Sequence, residues 1–102
     1  MHLINQNIKS IIKLCKKYKV TNLWLFGSIL TDRFNEKSDI DILVDFDKTK
    51  IPLLDRADIF FGFLEELEDN IGRKIDLVEY SAIKNQFFKA EVDKTKELLW
   101  TN

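Results

Sequence analysis

Several residue types that would commit a small chain to a particular class of protein are scarce here. Among 102 residues there is one cysteine, so an internal disulfide framework is excluded. There is also one proline, and no repeat, linker or low-complexity tract divides the sequence. No apolar run approaches the roughly 18 residues that span a bilayer, and the N-terminus lacks the charged-then-apolar order of a signal peptide. We therefore expect one cytoplasmic domain over residues 1–102, without membrane contact.

The sequence also lacks an excess of positive charge. Its formal net charge is −1, so no overall positive field attracts nucleic acid, and direct nucleic-acid binding is not expected. The charges are segregated, because residues 1–31 contain five lysines and no acid, whereas residues 32–79 hold 14 of the 17 acids. A centre so rich in carboxylates repels phosphate groups unless cations lie between them.

The first half of the chain contains one helical and two strand patterns. Residues 3–19 have apolar side chains on one side and lysines on the other, which predicts an amphipathic helix. Residues 22–26 form a short apolar and aromatic run that predicts a buried strand ending at Gly27. Residues 28–38 are polar and turn-like, with a helical turn expected after the first of them. Residues 39–47 alternate strictly, which predicts a strand with one apolar face.

The second half predicts a long helix, a strand and a final helix. Pro52 is placed to begin the long helix, and Gly72 is placed to end it in a left-handed conformation. Residues 74–79 predict a third strand, and Ser81 is the expected cap of a C-terminal helix that runs towards Trp100. The order α-β-(α)-β-α-β-α predicts an α/β (α+β) fold with a three-stranded mixed sheet and helices packed on it.

Five polar or small residues are expected to meet at one end of this sheet. If the first two strands pair antiparallel, Gly27-Ser28 at the end of one lies beside Asp39 at the start of the other. The helical crossover favours parallel pairing of the second and third strands, which places Asp76 beside Asp41 and Asp39. Any one of these acids alone has a simpler explanation, in turn chemistry or a solvated strand face. Their coincidence with Gly27-Ser28 favours a functional site.

Crowded carboxylates repel one another unless a cation is bound or one of them is protonated. Clusters of oxygen ligands suit Mg²⁺, with Mn²⁺ as an alternative, and Mg²⁺ binds one or two carboxylates together with the phosphate oxygens of a substrate. Gly27 allows a phosphate to approach the backbone, while the Ser28 hydroxyl and the amides at a helix start can donate to it. The sequence therefore predicts a metal site beside a phosphate-binding turn.

At these residues the sequence resembles the minimal nucleotidyltransferases, the smallest members of the DNA polymerase β-like superfamily. Their signature is Gly-Ser, ten residues, and Asp-x-Asp in an apolar strand. Here it reads Gly27-Ser28, residues 29–38 and Asp39-Ile40-Asp41. A third aspartate stands in Lys74-Ile75-Asp76-Leu77-Val78, and the resemblance runs from about Leu23 to Tyr80. It implies the nucleotidyltransferase fold.

The resemblance also implies chemistry and partners. Asp39 and Asp41 are expected to hold two Mg²⁺ ions, Asp76 to complete the metal site or accept the proton of the acceptor, and Gly27-Ser28 to bind the nucleotide. The expected enzyme is a protein adenylyltransferase that moves AMP from ATP to a hydroxyl group. Family members commonly act as antitoxins beside an all-helical partner of the HEPN (higher eukaryote and prokaryote nucleotide-binding) type, and can adenylylate a tyrosine on it.

One loop departs from the family pattern and leaves alternatives open. The family often has an arginine four residues after the glycine, where this chain has Thr31, while Arg33 stands two residues later. A second hypothesis is therefore an antitoxin that occludes its partner without catalysis, and a third is a transferase acting on small molecules. Many aromatic residues in the helices predict either an aromatic-rich core or a protein interface, including self-association: Phe60, Phe61, Phe63, Phe87, Phe88 and Trp100.

Overall fold

The computed structural model describes residues 2–102 and contains four helices and four strands in that range. No helix in this range is long and apolar enough to cross a membrane. Three short 3₁₀ turns, at Gly27–Leu30, Leu53–Asp55 and Tyr80–Ala82, connect the elements. The helices and strands, in chain order, are α1 (His2–Gln6), α2 (Ile8–Lys17), β1 (Val20–Phe26), β2 (Ile40–Phe46), α3 (Arg56–Ile71), β3 (Ile75–Glu79), α4 (Gln86–Thr95) and β4 (Glu97–Thr101).

The strands form one mixed sheet in the order β3-β2-β1-β4. β1 pairs antiparallel with β2, and β2 pairs parallel with β3 after the crossover through α3. Both pairings confirm the predicted topology, including the parallel pair that was inferred from the length of the connecting helix. They place the start of β2 between the end of β1 and the start of β3.

The predicted number of three strands is wrong, because the C-terminal segment does not remain helical. α4 is capped by Asn85, whose side chain accepts two backbone N–H groups of the first turn, and not by Ser81, which lies in a 3₁₀ turn. The helix ends at Thr95, and β4 then pairs antiparallel with β1. An unpaired edge of β1 would leave backbone donors and acceptors unsatisfied, and the apolar run around Trp100 supplies the missing neighbour.

The predicted N-terminal helix is divided into α1 and α2 at Asn7. The Nδ2 atom of Asn7 donates to the backbone oxygen of Leu3 at 2.9 Å, and a side-chain bond of this kind competes with the helical backbone pattern. The predicted apolar side of the segment is nevertheless correct, since Ile4, Ile11 and Cys15 are fully buried.

α3 begins at Arg56, one short 3₁₀ turn later than the predicted start at Pro52. Gly72 follows its last residue with φ of 75°, which confirms the predicted left-handed end. The sequence predicts an apolar stripe on this helix, and its second half is confirmed, because Leu67 and Ile71 are buried and Phe60 and Leu64 pack against the core. The stripe is wrong at its start, where Leu53 is exposed, and it omits Phe63, which is completely buried. α3 therefore packs on the sheet through a face centred nearer to Phe63 than the sequence indicated.

Helices cover both faces of the sheet. α2 and α3 pack on the face that carries Ile40, Ile42 and Val44 of β2, all of them buried as predicted. The opposite face was expected to be polar, but Leu43 is fully buried there in a second small core with Val92 of α4. α4 covers the middle of this second face. Polar side chains at the end of the same sheet face therefore lie beside a helix and not on an open sheet.

The single cysteine gives a direct test of this packing. Cys15 is fully buried, and burial raises the pKa of its thiol to about 12, so the reactive thiolate is almost absent at neutral pH. We expect no reaction of the folded protein with a thiol reagent such as dithionitrobenzoate over minutes at pH 8, and complete reaction in guanidinium chloride. Rapid modification of the folded protein would contradict the placement of α2 against the sheet.

Candidate active site

The structure brings four of the five predicted residues into immediate proximity. In the register of the sheet, Phe26 lies opposite Asp41, and Asp41 lies opposite Asp76, so the two carboxylates are neighbours on adjacent strands. Gly27 and Ser28 follow Phe26 directly and turn over the same end of the sheet. The predicted placement of these residues is confirmed by the strand pairing.

Gly27 is required by its contact with Asp41. Its φ is 75°, in the region that favours glycine, and a Cβ atom added there would lie 2.2 Å from the Oδ2 atom of Asp41. The backbone N–H of Ser28 lies near the same carboxylate and lowers its pKa. The turn after β1 therefore packs over the Asp41 side chain, which lies between its own strand and the backbone of Gly27 and Ser28.

Asp39 stands at the edge of this group. It precedes the first residue of β2 and is exposed, and it is two residues from Asp41 on the same strand face. Its charge adds to the negative potential at Asp41, although less than the charge of Asp76 does. Of the three acids, Asp41 is therefore partly buried, whereas Asp39 and Asp76 are exposed.

The electrostatics of Asp41 express this crowding. Partial burial is the largest cause that raises the pKa of Asp41 above its usual value, and repulsion from Asp76 and then Asp39 raises it further. The nearby backbone N–H of Ser28 acts in the opposite direction and lowers that pKa, but it does not cancel the other effects. Without a cation, the ionised form of Asp41 is therefore less stable, relative to the protonated form, than it is for a free carboxyl in water.

The oxygen donors of this group fit a hard divalent cation. Within residues 2–102 no three His, Cys, Asp or Glu side chains are already grouped so as to enclose a metal ion. Mg²⁺ rarely uses such a closed protein cage, and it is usually held by one or two carboxylates, with water and substrate phosphates as the remaining ligands. The neighbouring Asp41 and Asp76, with Asp39 beside them, fit that open mode of binding.

The crowding predicts an unusual effect on stability. Asp41→Asn is expected to leave the melting temperature of the metal-free protein unchanged or slightly raised, because a neutral amide replaces a partly buried charge that Asp76 repels. The folded-state pKa of Asp41 is raised, so its ionised form costs stability at neutral pH. This cost, and the advantage of the variant, should disappear as the pH falls towards 3.8.

The measurement is thermal unfolding of both proteins in excess EDTA across this pH range. A marked drop in the melting temperature of the variant at pH 7 would show instead that Asp41 belongs to a structural hydrogen-bond network.

Arg73, which no sequence pattern indicates, connects the loop before β2 to the turn before β3. The Nη2 atom of Arg73 donates to the backbone oxygen of Asn35 at 2.8 Å and to that of Ser38, and its guanidinium lies 4.8 Å from the centre of the Phe34 ring. Arg73 lies in the turn between α3 and β3, whereas Ser38 immediately precedes Asp39. Arg73 therefore fixes the loop that leads into β2 against the turn that leads into β3.

Loss of this link should loosen the loop locally. Arg73→Met removes two hydrogen bonds from a charged donor, so we expect amide hydrogen exchange in residues 31–39 to become faster by about 10-fold or more. Exchange in β1 should not change. Lys74→Met is the matched control, since the neighbouring Lys74 side chain is exposed. Equal exchange rates in both variants would contradict the role of Arg73.

The loop that departs from the family pattern is internally bonded. Thr31, at the position of the family arginine, donates through Oγ1 to the Ser28 backbone oxygen at 2.8 Å, and the backbone N–H of Arg33 donates to Thr31 Oγ1 at 3.2 Å. Thr31 thus closes the 3₁₀ turn that begins at Gly27. Arg33 is exposed, and it lines a cleft beside Gly27-Ser28.

The sheet, with carboxylates on adjacent strands beside a Gly-Ser turn, has the features expected of a nucleotidyltransferase from the sequence motif. Residues 9–102 match the family described as polymerase beta, nucleotidyltransferase. The chain belongs to this nucleotidyltransferase family and is an enzyme of that class.

Relatives of known name support the assignment. The chain is 36% identical over 89 residues to the protein adenylyltransferase MntA of Thermococcus cleftensis, covering 82% of this chain and 85% of that protein. It is 42% identical over 86 residues to MJ0128 of Methanocaldococcus jannaschii, which is named as a candidate protein adenylyltransferase, covering 84% of this chain and 81% of that protein.

Solved structures show the same fold at lower identity. A chain of a toxin–antitoxin complex with AMP-PNP superposes with a TM-score of 0.69 at 24% identity, covering 94% of this chain and 74% of that chain. A second solved structure is the complex of the tri-AMPylated Shewanella oneidensis HEPN toxin with MNT antitoxin. One of its chains superposes with a TM-score of 0.64 at 22% identity, covering 96% of this chain and 72% of that chain. These likenesses confirm the predicted nucleotidyltransferase fold.

Proposed function

We propose that this chain transfers AMP from Mg-ATP to a tyrosine hydroxyl of a cognate, all-helical HEPN-type protein, and thereby acts as its antitoxin. The observation that carries the proposal is the Asp41–Asp76 pair at the Gly27-Ser28 turn, since it combines ligands for a cation with the polar groups of a turn at the same end of the sheet. The relatives named protein adenylyltransferase support the reaction, and the AMPylated HEPN toxin in complex with an MNT antitoxin supports the partner.

Asp39 and Asp41 would hold the two Mg²⁺ ions, with Asp76 as a further ligand or as the acceptor of the hydroxyl proton. When bound, these ions neutralise the phosphate charge and lower the pKa of the attacking hydroxyl. Gly27 lets the turn pass directly over the Asp41 carboxylate, and the Ser28 hydroxyl, at the start of the 3₁₀ turn, can donate to a phosphate oxygen.

The reaction forms one bond and breaks another at the α-phosphorus. The tyrosine oxygen bonds to this atom, the bond to the bridging oxygen of the β-phosphate breaks, and pyrophosphate leaves with that electron pair. In the second role proposed for Asp76, its carboxylate takes the proton that the tyrosine loses. Most of the work is positioning and neutralisation of charge rather than covalent chemistry.

The test uses the chain purified together with the product of the neighbouring gene. With Mg-ATP, the intact mass of the partner should increase by one or more AMP units, and pyrophosphate should be released in equal amount. Substitution of the modified tyrosine by phenylalanine should abolish the increase. A partner that stays unmodified, with no pyrophosphate formed, would refute the proposal.

Occlusion of the partner without catalysis is the second candidate. Thr31 favours this candidate, because it occupies the position of the family arginine and its hydroxyl donates to the Ser28 backbone oxygen within the turn rather than to a ligand. The exposed aromatic side chains Phe61 and Phe87 would suit such a binding role. An antitoxin of this kind would protect cells equally well without its site carboxylates.

A further inference from the structure

A cleft of about 620 Å³ opens beside the Gly27-Ser28 turn, between this turn and α4. Its size lies within the range of small-molecule sites. Leu30 contributes to the wall formed by the turn, Phe88 to the wall formed by α4, and Glu97 to the end formed by β4. The cleft is thus continuous with the turn to which the proposed function assigns the phosphates.

The walls of the cleft offer an aromatic surface. Phe88 is 42% exposed, and its ring meets the buried Phe26 edge to face, with 6.1 Å between the ring centres. Phe26 itself is part of the lining, as is Leu30 of the turn. An aromatic side chain that is anchored on one side and exposed in a cleft suits a flat, partly apolar ring, because stacking there requires little further ordering.

The charges of the cleft give such a ligand a direction. Arg33 lines the cleft together with Gly27 and Ser28, whereas Glu91 of α4 and Glu97 also lie in its lining. The two carboxylates repel phosphate but accept hydrogen bonds from amino and hydroxyl groups. A ligand with phosphates at the turn and a flat base and sugar rich in donors elsewhere is complementary to this arrangement.

We propose that the cleft binds the adenosine moiety of the donor nucleotide, with the base against Phe88 and its donor groups towards Glu91 and Glu97. The proposal rests on the proposed function and extends it to the determinant of nucleoside binding. Adenine fits because its exocyclic amino group is a hydrogen-bond donor that a carboxylate accepts.

Binding of two ligands separates the cleft from the phosphate site. In titration calorimetry with the full chain, Phe88→Ala should weaken binding of Mg-AMP-PNP by about 10-fold or more, as expected for one lost base–aromatic stack. Binding of Mg-tripolyphosphate, which lacks the nucleoside, should change by less than about twofold. Phe87→Ala is the matched control, because Phe87 is the adjacent residue on α4, is 90% exposed and does not line the cleft.

Phe88→Leu keeps apolar volume against Phe26 and decides the matter if the alanine variant unfolds. It should also weaken Mg-AMP-PNP binding, by about 5-fold, because it lacks an aromatic face. Folded Phe88 variants that bind Mg-AMP-PNP as tightly as the wild type would overturn the proposal. A wild type that binds no Mg-AMP-PNP, or variants that lose both ligands equally, would overturn it as well.

The proposed function fails by a different result. If AMP is transferred to the partner but nucleotide binding is independent of Phe88, only the cleft is refuted. If nucleotide binding depends on Phe88 but no partner is ever modified, adenosine binding stands and the transfer reaction is refuted.

Discussion

Asp41→Asn is expected to lower the rate of AMP transfer by more than about 100-fold. Removal of a residue that merely supports a metal ligand already costs 10- to 100-fold in activity or metal affinity, and Asp41 is proposed as a ligand itself. The amide has nearly the same size and shape as the carboxylate, so the Gly27-Ser28 turn should remain in place while the negative charge is lost. The rate is measured as pyrophosphate release with Mg-ATP and the partner present.

Asp45→Asn is the matched control for this experiment. Asp45 lies on the same strand and the same face as Asp41, and burial likewise raises the pKa of its carboxyl. However, Asp45 accepts from the backbone N–H of Ser81 at 3.2 Å, at the far end of β2, and should not affect the transfer. A similar loss of rate in both variants would point to general damage of the strand rather than to a metal site.

Asp41→Asn also distinguishes catalysis from occlusion in cells. If protection against the partner depends on modification, Asp41→Asn should fail to protect at expression levels at which the wild type succeeds. If the chain acts by covering its partner, the variant should protect fully, since its fold is expected to be intact. Unimpaired protection by a variant with no measurable transfer would establish the occlusion hypothesis.

Phe63→Ala is expected to give the largest loss of stability, about 3–5 kcal/mol. Phe63 is 0% exposed, and its ring lies between those of Tyr18 and Phe46, at centre distances of 5.7 and 5.9 Å. Truncation removes the side chain that joins α3 to β2 and to Tyr18, the residue that follows α2. Because a small domain has a total stability of about 5–15 kcal/mol, much of the protein should be unfolded in mild denaturant.

Urea unfolding monitored by tryptophan fluorescence measures this loss. Phe61→Ala on the same helix is the control, and it should cost less than about 1 kcal/mol because Phe61 is 63% exposed. Similar losses for the two variants would mean that α3 does not pack on the sheet through Phe63.

The sequence sufficed for the centre of the fold because local patterns there agree with the tertiary structure. Strict alternation in β2 favours a strand, and the glycine after α3 favours a left-handed helix end. The long helical crossover between β2 and β3 determines that these two strands pair parallel. The positions of Asp41 and Asp76 follow from that pairing. Gly27 was identified as a motif, but the physical reason for it, contact with the Asp41 carboxylate, exists only in three dimensions.

Other features depend on partners that are distant in sequence. Residues 97–101 continue a helical pattern locally, but they become a strand because the edge of β1 is available. Arg73 belongs to no periodic pattern, and its role comes from carbonyl groups that the sheet brings to it. Phe63 is missing from the predicted buried face of α3 because three phenylalanines compete for that face, and the packing of Phe63 against Tyr18 and Phe46 depends on the folded chain.

The added strand also has a consequence for colloidal behaviour. β1 is seven residues long and contains the run Leu-Trp-Leu-Phe, whereas the two strands at the sheet edges, β3 and β4, have five residues each. Short edge strands are poor templates for intermolecular pairing, and an uncovered β1 would be a good one. β4 therefore protects β1 from intermolecular pairing. Proteolytic removal of residues 97–101 should cause aggregation, measured as turbidity, before it disturbs the arrangement of the site carboxylates.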